Sequence, residues 1–225
     1  QKNELKKVYT GFIPCGKTND FAKMMNVPFQ ADSCISKILN KKYVYADLIK
    51  VNNCYFVTGG GLGLPSEVVN HIALLSSNRI YQFFVKMLKD LIYYFFAVKL
   101  ILSNDFGIKK SKIENNSREN LMAITINNQP FIGKRFFLAP DAQNNDGVFE
   151  VCIIKKYSSR IKNIFLLYKI IKGKHINEKT VTYLKVKKFF IKTEKNYSFM
   201  ADGELISSGR LFKINICPKA IKIYA

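Results

Sequence analysis

Apolar and polar positions change rhythm along the chain, and the changes mark its elements. Tyr9–Pro14 (YTGFIP) is a short apolar run that predicts a buried strand, and Cys15–Asp20 (CGKTND) reads as the turn after it. Phe21–Met25 reads as a helix start with Asp20 at its N-terminal end, and Asp32–Leu39 as a second short helix. Lys42–Val51 and Asn53–Gly59 predict two strands joined at Asn52-Asn53, a suitable hairpin pair. Gly59–Gly63 (GGGLG) reads as a break before a helical stretch from about Ser66 to Leu102, where Phe84, Leu88, Leu91, Ile92, Phe95 and Phe96 recur at helical spacing.

Beyond that stretch the period shortens towards two. Strands are expected at Leu121–Asn127, Lys134–Ala139, Phe149–Lys155, Thr180–Lys185, Phe189–Thr193, Tyr197–Met200 and Leu211–Pro218. Turn signals separate them at Asn127-Asn128, Asn145-Asp146-Gly147, Asp202-Gly203 and Ser208-Gly209. Arg160–Lys172 (RIKNIFLLYKIIK) keeps helical spacing among them. The expectation is an α+β fold: a mainly antiparallel β-sandwich domain with helices over residues 47–225, preceded over 1–46 by a remnant of an α/β layer.

Charge sharpens this picture. The formal net charge is +20, and residues 151–225 hold 17 basic against 4 acidic residues, which gives +13 for that third of the chain. Such a field calls for an anionic partner: a membrane surface, a nucleotide or a nucleic acid. Within Ile80–Leu102 the charges Lys86, Lys89, Asp90 and Lys99 would each cost ~2.5–3.5 kcal/mol in a bilayer core, so an amphipathic helix is expected rather than a membrane span. The five cysteines form no C-x-x-C pair, which speaks against a zinc site or a disulfide framework and suits a reducing cytoplasm. His71 and His175 read as structural.

The candidate chemistry is acidic. Asp20, Asp47, Asp141 with Asp146, and Asp202 with Glu204 stand at strand ends or tight turns. Phosphoryl transfer uses such carboxylates, one to accept a hydroxyl proton and others to hold magnesium. Each cluster alone is also what an ordinary turn looks like, and Gly16–Asp20 lacks Walker A spacing.

Order and spacing say more. Ile13–Ala22 (IPCGKTNDFA) resembles the P-x-G-T-x-N-D-F-A segment of the diacylglycerol kinase catalytic-domain family, the soluble bacterial lipid kinases related to ceramide and sphingosine kinases. Asp47–Val57 (DLIKVNNCYFV), the run GGGLGLPSEVV, Leu138–Val151 (LAPDAQNNDGVFEV), Lys172–Val181 (KGKHINEKTV) and Ala201–Glu204 (ADGE) resemble that family's later segments in the same order. The resemblance implies a lipid kinase with its site in a cleft between two domains, similar in fold to NAD kinase. Gly16, Lys17, Thr18 and Asn19 would lie at the phosphates of ATP. Asp20 and Asp47 would join a magnesium–water network. Asp141, Asp146 and the Val148 carbonyl would hold a second magnesium ion. Glu204 would be the general base, with Asp202 shaping its turn and Asp20 near the reacting groups.

Lys155, Lys156, Arg160 and Lys162 are the basic residues expected to face an anionic membrane, giving a cytoplasmic, peripherally membrane-associated protein. A homodimer is a further expectation from the resemblance, and no nucleic-acid partner is expected. The sequence departs from the family pattern at Lys17, at Leu64-Pro65-Ser66 and at Lys134-Arg135. The family's G-G-D-G-T segment has no counterpart and is expected to lie upstream. A non-catalytic lipid-binding module that keeps the fold is the main competing reading. A nucleic-acid binder using Lys185–Lys192 (KVKKFFIK) and a kinase of soluble substrates are the others.

Overall fold

Alternating bulky residues set the layers. In β7 (Phe149–Lys155), Phe149, Val151 and Ile153 point into the space between sheet layers, while Cys152 and Ile154 point to the opposite face. A sheet with two buried faces needs cover on both, and here the second cover is helical. The structure, a computed structural model, describes residues 8–16, 19–75, 91–114, 116–132 and 136–224.

The strands are β1 (Tyr9–Thr10), β2 (Tyr43–Val51), β3 (Cys54–Phe56), β4 (Gly59–Gly63), β5 (Ile108–Ile113), β6 (Asn116–Asn127), β7, β8 (Val181–Val186), β9 (Lys188–Ala201) and β10 (Glu204–Tyr224). The helices are α1 (Asp20–Met24), α2 (Ala31–Leu39), α3 (Leu64–Leu75), α4 (Leu91–Ser103) and α5 (Arg160–Ile171). The sheet order is β3-β2-β10-β9-β4-β6-β7-β8, antiparallel along this path. β5 pairs with both β6 and β9. The pairings β9–β4–β6–β5–β9 therefore close a circuit, and the sheet folds back on itself around one core that includes Leu62, Ile108, Ile124, Ile191, Phe199 and Phe212.

On the outer face, α3, α4 and α5 cover Met122, Ala123, Cys152 and Ile154 with Val68, Phe96, Leu100, Leu166 and Ile170. Burial pushes the Cys152 thiol up to about 12, as expected for an inert core cysteine. A third cluster docks the N-terminal helices: Ala22, Met25, Val27 and Cys34 pack on Ala46 of β2 and Ile223 of β10. Among the described residues no helix is long and apolar enough to cross a membrane.

The mainly antiparallel α+β expectation is met, and several local readings are corrected. GGGLG is not a break but the central strand β4, wholly buried between β6 and β9. Its glycines allow a close approach: a Cβ on Gly61 would lie 2.2 Å from the Ile124 carbonyl oxygen, and one on Gly60 2.4 Å from that of Met200. Only Tyr9 and Thr10 of YTGFIP pair, both exposed, in parallel with the end of β10. Of the strand expected over Lys134–Ala139, the described part, 136–139, forms none; Phe136 makes one isolated bridge to Ile132, and residues 133–135 lie outside the described residues.

Lys-rich β5 (IKKSKI) escaped the pattern because Ile108, Ser111 and Ile113 are its only buried positions. The segments Phe189–Thr193 and Tyr197–Met200 are one strand, β9. Of the long helical stretch, α3 and α4 are described; Phe84, Leu88, Lys86, Lys89 and Asp90 are outside the described residues. The division expected at residues 46 and 47 falls inside β2, whose two halves pair with β10 on either side of a bulge between Cys217 and Ile221.

The tightness at β4 is testable. Gly61→Ala is expected to destabilise the fold by ~3 kcal/mol or more, since the methyl meets backbone rather than a movable side chain. Gly203→Ala, which meets nothing within 4 Å, should cost only the ~1–2 kcal/mol of its left-handed backbone. Urea unfolding midpoints of the two variants compare them directly.

Candidate functional site

Two places gather the acidic residues singled out by the sequence. The first is the rim of a cavity of about 390 Å³ between the sheet and helices α3, α4 and α5. Its interior is apolar, with Val68, Ala97, Met122, Ile154, Leu167 and Ile170 among the lining residues. Its polar lining includes Gly16, Asn19, Asp20, Thr58, Asp202 and Gly203. The chain thus brings Asp20, from the start of α1, to the same cavity as the β9–β10 turn.

Local chemistry explains both ends. Asn19 takes a left-handed conformation (φ 48°) before α1, which Asn tolerates well. A side chain on Gly16 would come within 2.9 Å of the Asn19 Oδ1. Asp202 and Gly203 both have positive φ (49° and 90°), the turn that Asp-Gly favours in a two-residue hairpin. The Asp202 carboxylate accepts hydrogen bonds from the backbone N–H of Val57 (3.0 Å), the N–H of Thr58 (2.8 Å) and the Thr58 hydroxyl (2.5 Å). Glu204, two residues on, is exposed at the first position of β10 and does not line the cavity. Lys17 and Thr18 lie outside the described residues.

The second place surrounds Asp47, which is fully buried opposite the β10 bulge. Its carboxylate accepts the N–H groups of Lys219 (2.6 Å) and Gly147 (2.7 Å), and its own N–H donates to the Asn144 carbonyl (2.7 Å). Asp141 and Asp146 are exposed on the same loop, and Asp146 accepts the Val148 N–H at 3.2 Å.

The sequence reading missed Glu150, fully buried in β7 among apolar neighbours. A charge inside an otherwise apolar alternating strand was the available signal. Burial raises its carboxyl above the usual range, and Lys185 opposes that rise. The Lys185 ammonium lies 3.2 Å from Glu150 Oε1, an ion contact without hydrogen-bond alignment, and 3.5 Å from the Asp141 carbonyl oxygen.

These donors do not form a ready-made divalent site. Both Asp47 oxygens are committed to backbone, Lys185 already brings positive charge to Glu150, and among the described residues no three His, Cys, Asp or Glu side chains gather as metal ligands.

The two places are connected. Asn128, fully buried after β6, donates its side-chain amide to the carbonyls of Asp47 (3.0 Å) and Val57 (2.9 Å), while its backbone N–H bonds the Thr58 carbonyl (2.8 Å). Neither Asn128 nor Thr58 was singled out by sequence, where Asn127-Asn128 read only as a turn. His175 is buried, as expected of a structural histidine, and burial lowers its pKa.

Of the basic residues expected to face a membrane, Lys155, Arg160 and Lys162 are exposed. Lys156 is half-buried: its ammonium bonds the Asn104 carbonyl (3.2 Å) and sits 4.0 Å from the Phe106 ring centre, groups that replace part of its hydration.

With this geometry in view, comparison with known proteins is informative. The model described as YegS C-terminal NAD kinase beta sandwich-like domain matches residues 66–225. The chain belongs to this family. Among similar proteins, a Bacillus subtilis protein named diacylglycerol kinase is 26% identical over 86% of this chain, and the match covers 62% of that protein. The chain therefore spans less than two thirds of the length of that relative. A Yersinia pseudotuberculosis protein named as a probable lipid kinase, YegS-like, is 27% identical over 96% of this chain and 69% of its own length. A solved diacylglycerol kinase from Bacillus anthracis str. Sterne shares the fold at TM-score 0.60 and 15% identity, covering 94% of this chain and 65% of that one.

Two measurements probe this framework. Asn128→Ala leaves two buried carbonyls without their shared donor and should destabilise the protein by about 2–4 kcal/mol, against less than ~0.5 kcal/mol for exposed Lys188→Ala, as read from urea midpoints. Glu67 on α3 gives the pH test. Its Oε1 accepts the Gly107 N–H at 3.0 Å, and burial pushes its carboxyl up to about 7 from 4.5, with Asp105 adding to the rise. A carboxyl raised on folding favours the protonated native state, so its contribution to stability is present below about pH 4.5 and is lost as pH rises to about 7. Glu67→Gln keeps an acceptor for Gly107 and should gain about 1–3 kcal/mol at pH 8 relative to its effect at pH 4.5, after discounting for solvent screening.

Proposed function

We propose that the chain forms the lipid-holding part of an ATP-dependent lipid kinase, which phosphorylates the hydroxyl of a lipid such as diacylglycerol. The observation that carries this is the apolar cavity with Asp20, Asn19, Asp202 and Gly203 among its lining residues. An apolar interior of this size suits acyl chains, and a few polar groups at one side suit a hydroxyl-bearing headgroup. The names of the relatives support the same reading.

In this proposal Mg–ATP is the phosphoryl donor, with Gly16 and Asn19 toward its phosphates and Asp20 beside them. The lipid hydroxyl oxygen attacks the γ-phosphorus, the bond to the β-phosphate bridging oxygen breaks, and ADP leaves. Glu204 takes the hydroxyl proton. Asp202 holds its turn through Val57 and Thr58 and so positions Glu204. Asp47 and Asp146 shape the 141–148 loop, Asp47 through the Gly147 N–H and Asp146 through the Val148 N–H, with Asp141 exposed at its start.

One observation favours a non-catalytic lipid-binding module instead: the carboxylates of Asp47 and Asp202 are both committed to backbone N–H groups, and Glu204 is outside the cavity lining. An assay separates the two. Label transfer from γ-labelled ATP into diacylglycerol micelles is measured for the chain and for a chimera supplying the part of the Bacillus subtilis relative that this chain does not match. The expected result is transfer by the chimera, a drop of ~10²-fold or more with Glu204→Gln, and a weaker loss with Ala97→Leu, which narrows the cavity. Lipid binding without transfer in every form would instead establish the module.

A further inference from the structure

α5 is two-faced in an unusual way. Asn163, Leu166, Leu167 and Ile170 are buried, and Leu167 and Ile170 line the cavity from above. On the opposite face Ile161, Phe165 and Tyr168 are 67%, 63% and 56% exposed. They stand at i, i+4 and i+7, one stripe about 10 Å long. The neighbouring helix α4, in contact with α5, also exposes Leu91, Phe95 and Leu102.

The charge around the stripe has one sign. Residues 155–174 contain seven basic residues and no acidic one. Lys169 is paired with Glu178 and Lys156 is turned inward, but Lys155, Arg160, Lys162, Lys172 and Lys174 are exposed. Arg160 and Lys162 sit in the first turn of α5, which holds no acidic residue. Cations there oppose the positive end of the helix dipole, so the arrangement costs local stability and is explained by an anion outside the protein.

We propose that the outer face of α5 docks on an anionic bilayer. Ile161, Phe165 and Tyr168 enter the boundary between headgroups and acyl chains, and Lys155, Arg160, Lys162 and Lys172 meet lipid phosphates and carboxylates. A second copy of this chain, at net charge +20, would bring like charges together on this face. A nucleic acid would leave the apolar stripe in water. A bilayer with acidic lipids satisfies both features. The choice of a membrane deepens the lipid-kinase reading and rests on it. The same helix that presents this face lines the cavity with Leu167 and Ile170.

The test is vesicle co-sedimentation of the chain with phosphatidylcholine alone and with phosphatidylcholine carrying acidic phosphatidylserine, at two salt concentrations. Variants are Ile161→Ser/Phe165→Ser/Tyr168→Ser and Arg160→Ser/Lys162→Ser, each checked for wild-type thermal unfolding. Wild type should bind the acidic vesicles and lose binding in high salt. The basic pair should weaken binding about 30-fold at low salt, and the apolar triple by at least about 10-fold. Wild-type binding by both variants, equal binding to neutral vesicles, or conversion of a wild-type dimer to a monomer by the apolar triple would each overturn the proposal. Transfer to dissolved dioctanoylglycerol by the chimera separates the two readings. Vesicle binding lost in the variants with short-chain transfer intact supports the surface; vesicle binding through α5 with no transfer to any lipid keeps the surface and removes the kinase.

Discussion

The architecture turns on one buried amide. Asn128 joins the carbonyls of Asp47 and Val57. Val57 and Thr58 in turn hold Asp202, and Asp47 holds Gly147 and Lys219. One side chain thereby couples the bulge in β10, the 144–147 loop, the link between β3 and β4, and the β9–β10 hairpin. In a dry interior each of these carbonyls needs a donor. The geometry at the cavity rim, where Thr58 and Asp202 line the cavity, therefore depends on Asn128 and Asp47, which do not.

Closure of the sheet supplies the other constraint. β4 must fit between β6 and β9 while its C-terminal end hands the chain to α3, and only glycine leaves space for the neighbouring carbonyls at Gly60 and Gly61. The close approach brings α3 down beside Met122 and Ala123, so the helical layer sits near enough to the sheet to enclose a cavity yet leaves it unfilled. Small residues in the strand and bulky residues on the helices are two parts of one solution.

Much of this was legible in the sequence, for reasons that can be named. β7, α2 and α5 carry unbroken periodicity and appear within a residue or so of their expected spans. Asp202-Gly203 demands a tight hairpin and forms one. GGGLG was misread because glycine signals a break locally, whereas here burial of both faces overrides propensity. β5 was missed because its lysines are solvated on a strand that is buried at only three positions. The site was legible as types and not as partners: Asp47 and Asp202 stood out as carboxylates, but their commitment to distant N–H groups, 172 and 145 residues away for the Lys219 and Val57 bonds, depends on the fold.

That commitment changes how acidic turns should be weighed. A carboxylate that accepts backbone N–H groups on both oxygens gains charge-assisted bonds and fixes a loop, but it has less capacity left for a proton or a cation. Asp47 and Asp202 are in that position, while Asp20 faces the cavity and Glu204 stands exposed beside its rim. The first pair builds the scaffold. Lys185 beside Glu150 follows the same logic with the sign reversed, because a buried carboxylate is tolerated where the chain supplies its own counter-charge. Buried charge is thus used to hold a loop at Asp47, whereas Lys155, Arg160, Lys162 and Lys172 stand exposed in and around α5.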